Sequence, residues 1–262
     1  MNFWYRSDEA SEHPFNPVPS LFTLCNALCG FTAIVHAMTA QPGQVPLISL
    51  WLIGGAMLFD VLDGLAARVL KAQSMHGMNL DSMADAVSFG AAPAVIIYRL
   101  ILGDGTGTGL IEGVAWFVAA CYLGCELWRL AHYNTIAMQE TDERIDFVGL
   151  PSPGAAALVC SMAILVPALD MDARLALVAY CAHAMLCAFL MISTVPYTHV
   201  RRCLSNSRKW VSFAFLAAVI TSISIFKIWG LVGWAYLYVL YAPVLEMESR
   251  LARYAEKHAT MH

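Results

Sequence analysis

Residues 58–90, LFDVLDGLAARVLKAQSMHGMNLDSMADAVSFG, join the end of one apolar run to the start of the next. This segment carries four aspartates, at Asp60, Asp63, Asp81 and Asp85. Ionised side chains are costly inside membrane helices, so they mark functional sites. On a helix, residues three or four positions apart are neighbours. A short connection between two such helices therefore predicts an antiparallel pair on which the four carboxylates converge.

The composition of the whole chain indicates a membrane protein. Its 262 residues are 59% hydrophobic and 13% charged, whereas soluble domains carry about 25% charged residues. The net charge of -4 and the lack of a basic stripe argue against a nucleic-acid partner. Apolar runs of about 20 residues can cross the hydrocarbon core. Such runs predict an all-α, polytopic membrane helix bundle of about eight transmembrane helices, at 20–40, 46–69, 78–98, 111–133, 153–169, 174–195, 210–227 and 231–246.

The basic residues predict the orientation of the bundle. With the N-terminus in the cytoplasm, all Lys and Arg residues except Arg99, Arg174 and Lys227 fall on the cytoplasmic side, as the positive-inside rule requires. Both termini are therefore predicted to be cytoplasmic. We expect a cytoplasmic or interfacial N-terminal segment without the apolar core of a signal peptide, a transmembrane domain and a cytoplasmic tail, at residues 1–18, 19–246 and 247–262.

The clustered carboxylates predict a divalent cation. Four of them packed together repel one another and would take up protons unless a cation neutralises them. Mg²⁺ takes oxygen ligands and often shares carboxylates with substrate phosphates. Gly64 and Ala67 share a helix face with Asp60, and Gly77 shares one with Asp81. Small residues at these positions leave room for a ligand, although they also let membrane helices touch.

Together these residues resemble the complete signature of the CDP-alcohol phosphatidyltransferases, written here as Asp60-x2-Asp63-Gly64-x2-Ala67-Arg68-x8-Gly77-x3-Asp81-x3-Asp85. The resemblance implies a membrane enzyme of at least six helices, in which an alcohol displaces CMP from a CDP-linked lipid. It implies two ions of Mg²⁺ or Mn²⁺ held by Asp60, Asp63 and Asp81, with Asp85 near the metal and acting as the general base. It also implies that the nucleotide and donor site is lined by Gly64, Ala67, Arg68 and Gly77.

Three further segments resemble the phosphatidylserine synthase branch of this family: PSLFTLCNALCGF at 19–31, FVGLPSPGAAA at 147–157 and MISTVPY at 191–197. This resemblance implies transfer of a phosphatidyl group from CDP-diacylglycerol to L-serine. We accordingly expect Thr23 and Asn26 at the donor site. We also expect a multi-pass protein of the bacterial inner membrane, with its active site facing the cytoplasm.

Serine brings a carboxylate and an ammonium group, so its site must offer complementary charge. A helix N-terminus is a ready anion site, and the run at 153–169 begins with Ser152 as a predicted N-cap before Pro153. Arg129 can bind a carboxylate with two hydrogen bonds, and we place Asn134 beside it at the acceptor site. Alternatively, Ser152 only caps its helix and Arg129 binds a lipid phosphate. The run 129–134 resembles a branch motif that has Arg where this chain has His132, so no role is carried to that position.

Other functions remain open from the sequence. The same chemistry can use glycerol phosphate or inositol phosphate as the acceptor, although an acceptor phosphate calls for several basic residues at the site. The aspartates can also form the binding site of a divalent-cation transporter, although such sites lie near the bilayer midplane between broken helices. For the enzyme, the expected partners are CDP-diacylglycerol, L-serine, the lipid bilayer and a second copy in a homodimer.

Overall fold

The computed structural model describes residues 17–41, 43–70, 74–103, 109–139, 149–195, 229–230, 232–241 and 243–244. Every regular element in this part of the chain is helical. The elements are α1 (Pro17–Thr39), α2 (Leu47–Val69), α3 (Met75–Asp85), a π-helical turn (Ala86–Ala91), α4 (Ala92–Leu102), α5 (Gly109–Gln139), α6 (Ser152–Ala168), α7 (Ala173–Ile192) and α8 (Val232–Tyr241).

Five helical stretches in the described ranges are long and apolar enough to cross a membrane: Val18–Thr39, Leu47–Ala67, Met75–Leu102, Gly109–Thr135 and Ala173–Ile192. The shorter apolar helices α6 and α8 lie where the fifth and eighth spans were predicted. The predicted span 210–227, the N-terminal segment to residue 16 and the tail 247–262 lie outside the described residues. An all-helical integral membrane protein is therefore confirmed, and the count of eight spans stays a prediction.

Helix α1 shows how side chains are sorted between the lipid and the protein interior. Its large apolar residues are exposed, at Leu21, Leu24, Leu28, Phe31, Val35 and Met38. Its buried positions recur in steps of three and four residues, at Thr23, Asn26, Gly30, Ala33 and Ala37. This is the spacing of one helix face. Small residues on that face let neighbouring helices approach closely, and α1 packs most extensively against α2.

The inward faces of α2 and α5 change from apolar to polar along their length. On α2 the buried residues Ile53 and Ala56 lead to Asp60 and Asp63. On α5 the buried residues Ala115, Ala119 and Tyr122 lead to Glu126 and Arg129 in the same steps of three and four. Because successive spans run in opposite directions, the second halves of α2 and α5 lie at the same end of the bundle as the first halves of α1 and α3. One end of the interior is therefore polar.

The opposite end of the bundle is closed by hydrogen bonds between its connections. The backbone N–H of Gly43 donates to the carbonyl of Gly103 at 2.8 Å. The Arg99 guanidinium donates through Nη2 to the carbonyl oxygen of Ala40, which lies just after α1. Both bonds fix how α1 and α4 end, and so they hold the helices that carry the polar groups at the other end.

The helical hydrogen bonding widens directly after Asp85. Residues Ala86–Ala91 form a π-helical turn, with Ser88, Phe89 and Gly90 buried. The Tyr122 hydroxyl on α5 donates to the carbonyl oxygen of Phe89 at 3.0 Å. The sequence predicted an uninterrupted helix over 78–98, so this turn is a structural finding. π-Helical turns concentrate at functional sites, and this one follows the last aspartate of the cluster.

The π turn packs closely against α1, and Gly30 permits this contact. A Cβ atom at position 30 would lie 2.5 Å from the Cα atom of Ser88. We therefore expect Gly30→Ala to lower the free energy of unfolding by about 1–3 kcal/mol, as overpacking does in cores. Thermal unfolding of the purified protein in detergent measures the effect.

The matched control is Gly54→Ala on α2, because a Cβ at that position would have no atom of the described residues within 4 Å. Its melting temperature should equal or exceed that of the parent protein, because alanine favours a helix over glycine. A Gly30→Ala protein as stable as Gly54→Ala would contradict the close approach of α1 to the π turn.

Candidate active site

Three aspartates converge from two helices at the polar end of the bundle. Asp60 and Asp63 on α2 and Asp81 on α3 each offer an oxygen, and these oxygens all lie within 4.8 Å of one another. Asp63 is 6% exposed, and the other two are half-buried. The spacings of three residues on α2 and of four on α3 place these carboxylates on facing sides of an antiparallel pair. The structure thus brings together three of the four aspartates predicted at the metal.

The donor set fits a hard divalent cation. Mg²⁺ binds oxygen ligands at about 2.0–2.1 Å, so opposite ligands of one ion are about 4.2 Å apart. The 4.8 Å limit for the three oxygens is close to this value. Two-metal sites hold ions about 3.5–4 Å apart, so their ligand oxygens are spread more widely than those of a single ion. The three carboxylates therefore suit one ion if their oxygens move slightly closer together, or two ions that share ligands.

Asp85 is held beside this cluster by a residue from α1. The Asn26 side chain donates through Nδ2 to Oδ1 of Asp85 at 3.0 Å. The Ser88 hydroxyl of the π turn donates to the backbone carbonyl of Asn26 at 2.8 Å. Asp60 and Asp81 lie within electrostatic range of Asp85. Asn26, which was predicted at the donor site, therefore positions the carboxylate predicted to be the base.

The residues expected to line the donor site lie around the aspartates. Gly64 and Ala67 are partly exposed on α2, and the side chain of Arg68 lies outside the described part of the structure. The only described atom within 4 Å of a Cβ at position 77 would be Oγ of Ser74, the N-cap whose hydroxyl accepts from the Gly77 N–H. No described helix packs against Gly77, so this contact geometry gives no packing reason for a glycine there.

Thr23 is buried on α1, and its hydroxyl is engaged within its own helix. It donates to the carbonyl oxygen of Pro19 at 3.1 Å. In this arrangement the Thr23 hydroxyl donates to backbone four residues earlier, as membrane-helix threonines often do. The structure therefore places Thr23 on the same inward face of α1 as Asn26, with its hydroxyl proton bound by its own helix.

Two of the three predicted acceptor residues, Arg129 on α5 and Ser152 on α6, are in contact, whereas the third, Asn134, contacts α3. Arg129 is 8% exposed, and its Nη1 donates to the Ser152 hydroxyl at 2.5 Å. Its guanidinium carbon also lies 4.8 Å from the centre of the Tyr133 ring. The Asn134 amide oxygen accepts from the Ser82 hydroxyl at 2.9 Å, which ties α5 to the residue after Asp81.

The predicted capping role of Ser152 is wrong. The N-cap of α6 is Pro151, which makes no side-chain cap, and Ser152 is the first helical residue. The alternative in which Ser152 only caps its helix is therefore excluded. Its hydroxyl instead accepts a hydrogen bond from Arg129 on α5.

Glu126 is a residue of this site that the sequence analysis missed. It is 0% exposed on the inward face of α5, and its neighbours include Arg129, Ser152 and Asp85. A charge inside the apolar run 111–133 was a visible signal by the rule that singled out the aspartates. Glu126 was not predicted as a site residue because it lies outside residues 58–90, which carry the family resemblance.

The fold and this cluster define an integral membrane protein with a carboxylate site suited to divalent metal. A family model described as CDP-alcohol phosphatidyltransferase matches residues 16–194, which is more than half of the chain. The chain therefore belongs to the CDP-alcohol phosphatidyltransferase family, and the predicted family membership is confirmed. The family is generally dependent on divalent metal, in agreement with the donor set of the aspartates.

Several curated relatives are named CDP-diacylglycerol--serine O-phosphatidyltransferase. The Mycobacterium tuberculosis (strain H37Rv) protein is 36% identical over 151 residues, 56% of this chain and 49% of that protein. The Helicobacter pylori (strain 26695) protein is 28% identical over 238 residues, 86% of this chain and 95% of that protein. The Bacillus subtilis (strain 168) protein is 29% identical over 187 residues, 71% and 93% of the two chains. The chain spans about half the length of the mycobacterial relatives it matches.

Removing one carboxylate from the cluster should weaken metal binding. We expect Asp60→Ala and Asp81→Ala to raise the dissociation constant for Mn²⁺ at least about 10-fold, because even an outer-shell partner of a metal ligand is worth 10–100-fold. Electron paramagnetic resonance of free Mn²⁺ over purified protein measures the affinity. Glu112→Ala, an exposed acidic residue in the first turn of α5, should bind Mn²⁺ as the parent does. Parental affinity in Asp81→Ala would exclude this cluster as the metal site.

Proposed function

We propose that this chain transfers a phosphatidyl group from CDP-diacylglycerol to L-serine and releases CMP and phosphatidylserine. The observation that carries the proposal is the carboxylate cluster of Asp60, Asp63 and Asp81 with Asp85 anchored beside it by Asn26. The printed names of the mycobacterial, Helicobacter and Bacillus relatives support the choice of donor and acceptor.

Asp60, Asp63 and Asp81 would hold one or two ions of Mg²⁺ or Mn²⁺. When bound, such ions neutralise the pyrophosphate of the donor and stabilise the CMP that leaves. Gly64, Ala67, Arg68 and Gly77 would surround the nucleotide, as the family signature implies. The room around Gly77 supports this placement, since no described helix occupies it.

Asp85 would act as the general base in the transfer. The serine hydroxyl oxygen attacks the phosphorus that bears the diacylglycerol, and a new P–O bond forms as the bond to CMP breaks. The hydroxyl proton goes to Asp85, whose Oδ1 is already fixed by the Asn26 amide. Phosphoryl transfer depends mostly on positioning and charge stabilisation, so a base held by two neighbouring elements suits this step.

Arg129 would bind the carboxylate of serine, with Ser152 and Asn134 holding the surrounding helices. The Ser152 hydroxyl occupies Nη1 of Arg129, while Nε has no hydrogen-bond partner among the described residues. The planar guanidinium therefore keeps a donor for an incoming carboxylate. The stacked Tyr133 ring supports the guanidinium from one side.

The competing functions fit the described site less well. In the described part of the site, Arg129 lies within electrostatic range of Glu126, and this acidic neighbour disfavours an acceptor phosphate. A cation transporter would need its carboxylates near the middle of the spans. Here Asp60 and Asp63 lie in the second half of α2, toward one end of the bundle.

The remaining expectations concern placement in the cell. On the distribution of basic residues, we place the protein in the bacterial inner membrane with eight spans, cytoplasmic termini and the aspartates facing the cytoplasm. The domain limits 1–18, 19–246 and 247–262 and the homodimer stay predictions.

The acceptor and the base can be tested with one assay. Purified protein with CDP-diacylglycerol and Mn²⁺ should form CMP and phosphatidylserine in equal amounts from L-serine, and little product from glycerol phosphate or inositol phosphate. Asp85→Asn keeps the shape and the contact with Asn26 but loses basicity. It should lower kcat by about 10²–10⁴-fold, with little change in the KM for CDP-diacylglycerol.

Asp170→Asn is the matched control, because this exposed aspartate has a φ of 48° that asparagine tolerates. It should retain parental activity. Transfer to glycerol phosphate but not to serine would reject the proposed acceptor, and near-parental kcat in Asp85→Asn would reject the proposed base. Uptake of the divalent cation into vesicles, without release of CMP, would favour the transporter.

The orientation can be tested by cysteine labelling in a variant from which the eight native cysteines have been replaced. Leu70→Cys follows α2 at the end that carries the aspartates, and Gly109→Cys starts α5 at the opposite end. An impermeant maleimide should label Gly109→Cys in intact spheroplasts and Leu70→Cys only after permeabilisation. The reverse pattern would place the aspartates on the outer face.

A further inference from the structure

Glu126 has a buried carboxylate whose hydrogen-bonding capacity is unused in the described structure. Its side chain is 0% exposed. Neither carboxylate oxygen has a hydrogen-bond partner among the described residues, although the Ser152 hydroxyl lies close by. Burying a charge is costly unless it is paired and hydrogen-bonded. A buried carboxylate in this state can still accept hydrogen bonds from a group that binds beside it.

The backbone opposite Glu126 makes room for it. A Cβ atom on Gly90 of the π turn would lie 3.3 Å from Cγ of Glu126 and 3.2 Å from Cδ1 of Leu123. Both distances are tighter than ordinary contacts between carbon atoms. The π turn therefore has a glycine where it contacts the Glu126 side chain, and a larger residue at position 90 would crowd that side chain.

Glu126 lies near both the predicted base and the predicted carboxylate-binding residue. Its charge is within electrostatic range of Asp85 and of Arg129. Arg129 also has an unused donor, since its Nε has no hydrogen-bond partner in the described part of the chain. Two buried groups of opposite charge thus lie side by side, and each can still make hydrogen bonds.

We propose that Glu126 binds the ammonium group of the acceptor and thereby restricts the enzyme to acceptors that carry a positive charge. The inference rests on the proposed transfer to serine. Arg129 takes the acceptor carboxylate, Glu126 takes the ammonium, and the hydroxyl is left facing Asp85. A phosphate acceptor would bring its negative charge against Glu126, which discriminates against it.

A purely structural role for Glu126 makes a different prediction. If Glu126 only holds Arg129 in place through the Ser152 hydroxyl, its loss should impair recognition of the acceptor carboxylate. The two roles can be separated with analogues that each retain one of the charged groups of serine. Ethanolamine keeps the ammonium and lacks the carboxylate, and 3-hydroxypropanoate keeps the carboxylate and lacks the ammonium.

The experiment compares Glu126→Gln and Arg129→Gln as full-length purified proteins, with both analogues as competitive inhibitors of serine transfer. Glu126→Gln should raise the KM for L-serine and the Ki of ethanolamine by about 10–100-fold, as expected for loss of a charged hydrogen bond. The Ki of 3-hydroxypropanoate and the KM for CDP-diacylglycerol should stay within twofold of the parent. Arg129→Gln should raise the Ki of 3-hydroxypropanoate and leave the Ki of ethanolamine close to the parental value.

Glu112→Gln makes the same change at an exposed position on the same helix and should leave all four constants unchanged. Weakened binding of 3-hydroxypropanoate in Glu126→Gln, or unchanged binding of ethanolamine, would overturn the proposal. If Glu126→Gln does not fold, Glu126→Asp keeps the charge on a shorter side chain. This variant should bind ethanolamine more weakly than the parent does and should bind 3-hydroxypropanoate as tightly. The reverse pattern of Ki values would overturn the proposal.

These outcomes are distinct from failure of the proposed function. A parent protein that uses glycerol phosphate and not serine would reject the proposed function itself. A parent protein that uses serine, with a Glu126→Gln variant whose preference between the two analogues is unchanged, would reject only the role of Glu126.

Discussion

Repulsion among Asp60, Asp63 and Asp81 is the interaction on which the rest of this structure depends. Their oxygens lie within 4.8 Å of one another inside an apolar bundle, where the dielectric is low and like charges repel strongly. Such a cluster is stabilised when a cation or bound protons offset the charge of the carboxylates. The packing of α2 against α1 and the capping of α3 by Ser74 hold the carboxylates in register, so that a cation finds its ligands already assembled.

The π turn after Asp85 contacts both α1 and α5. On one side Ser88 donates to the Asn26 backbone, and Gly30 lets α1 approach. On the other side Gly90 leaves space for Glu126 of α5. An ordinary α-helical turn would give residues 86–91 a different rotation about the helix axis. The positions of Asp85 and Glu126 are therefore linked through one short segment of backbone.

The sequence predicted those features that depend on local spacing. The aspartates converge because intervals of three and four residues keep a helix face constant, and the membrane class follows from apolar runs and few charges. The π turn was missed because it arises from contacts with α1 and α5, which no interval within residues 78–98 reveals. The capping role of Ser152 failed for a similar reason, since its hydroxyl finds a better partner across the bundle in Arg129.

The charges of the site are divided between two regions with different tasks. The cluster on α2 and α3 is wholly acidic, which suits metal ions that will face a pyrophosphate. The pair on α5 contains one acid and one base, Glu126 and Arg129, and adds no net charge. A neutral pair of opposite charges favours a ligand that is itself a zwitterion, because each end is matched and a phosphate is not. Asp85 lies within electrostatic range of both regions. If the metal cluster binds the donor and the Glu126–Arg129 pair binds the acceptor, the base must lie near both.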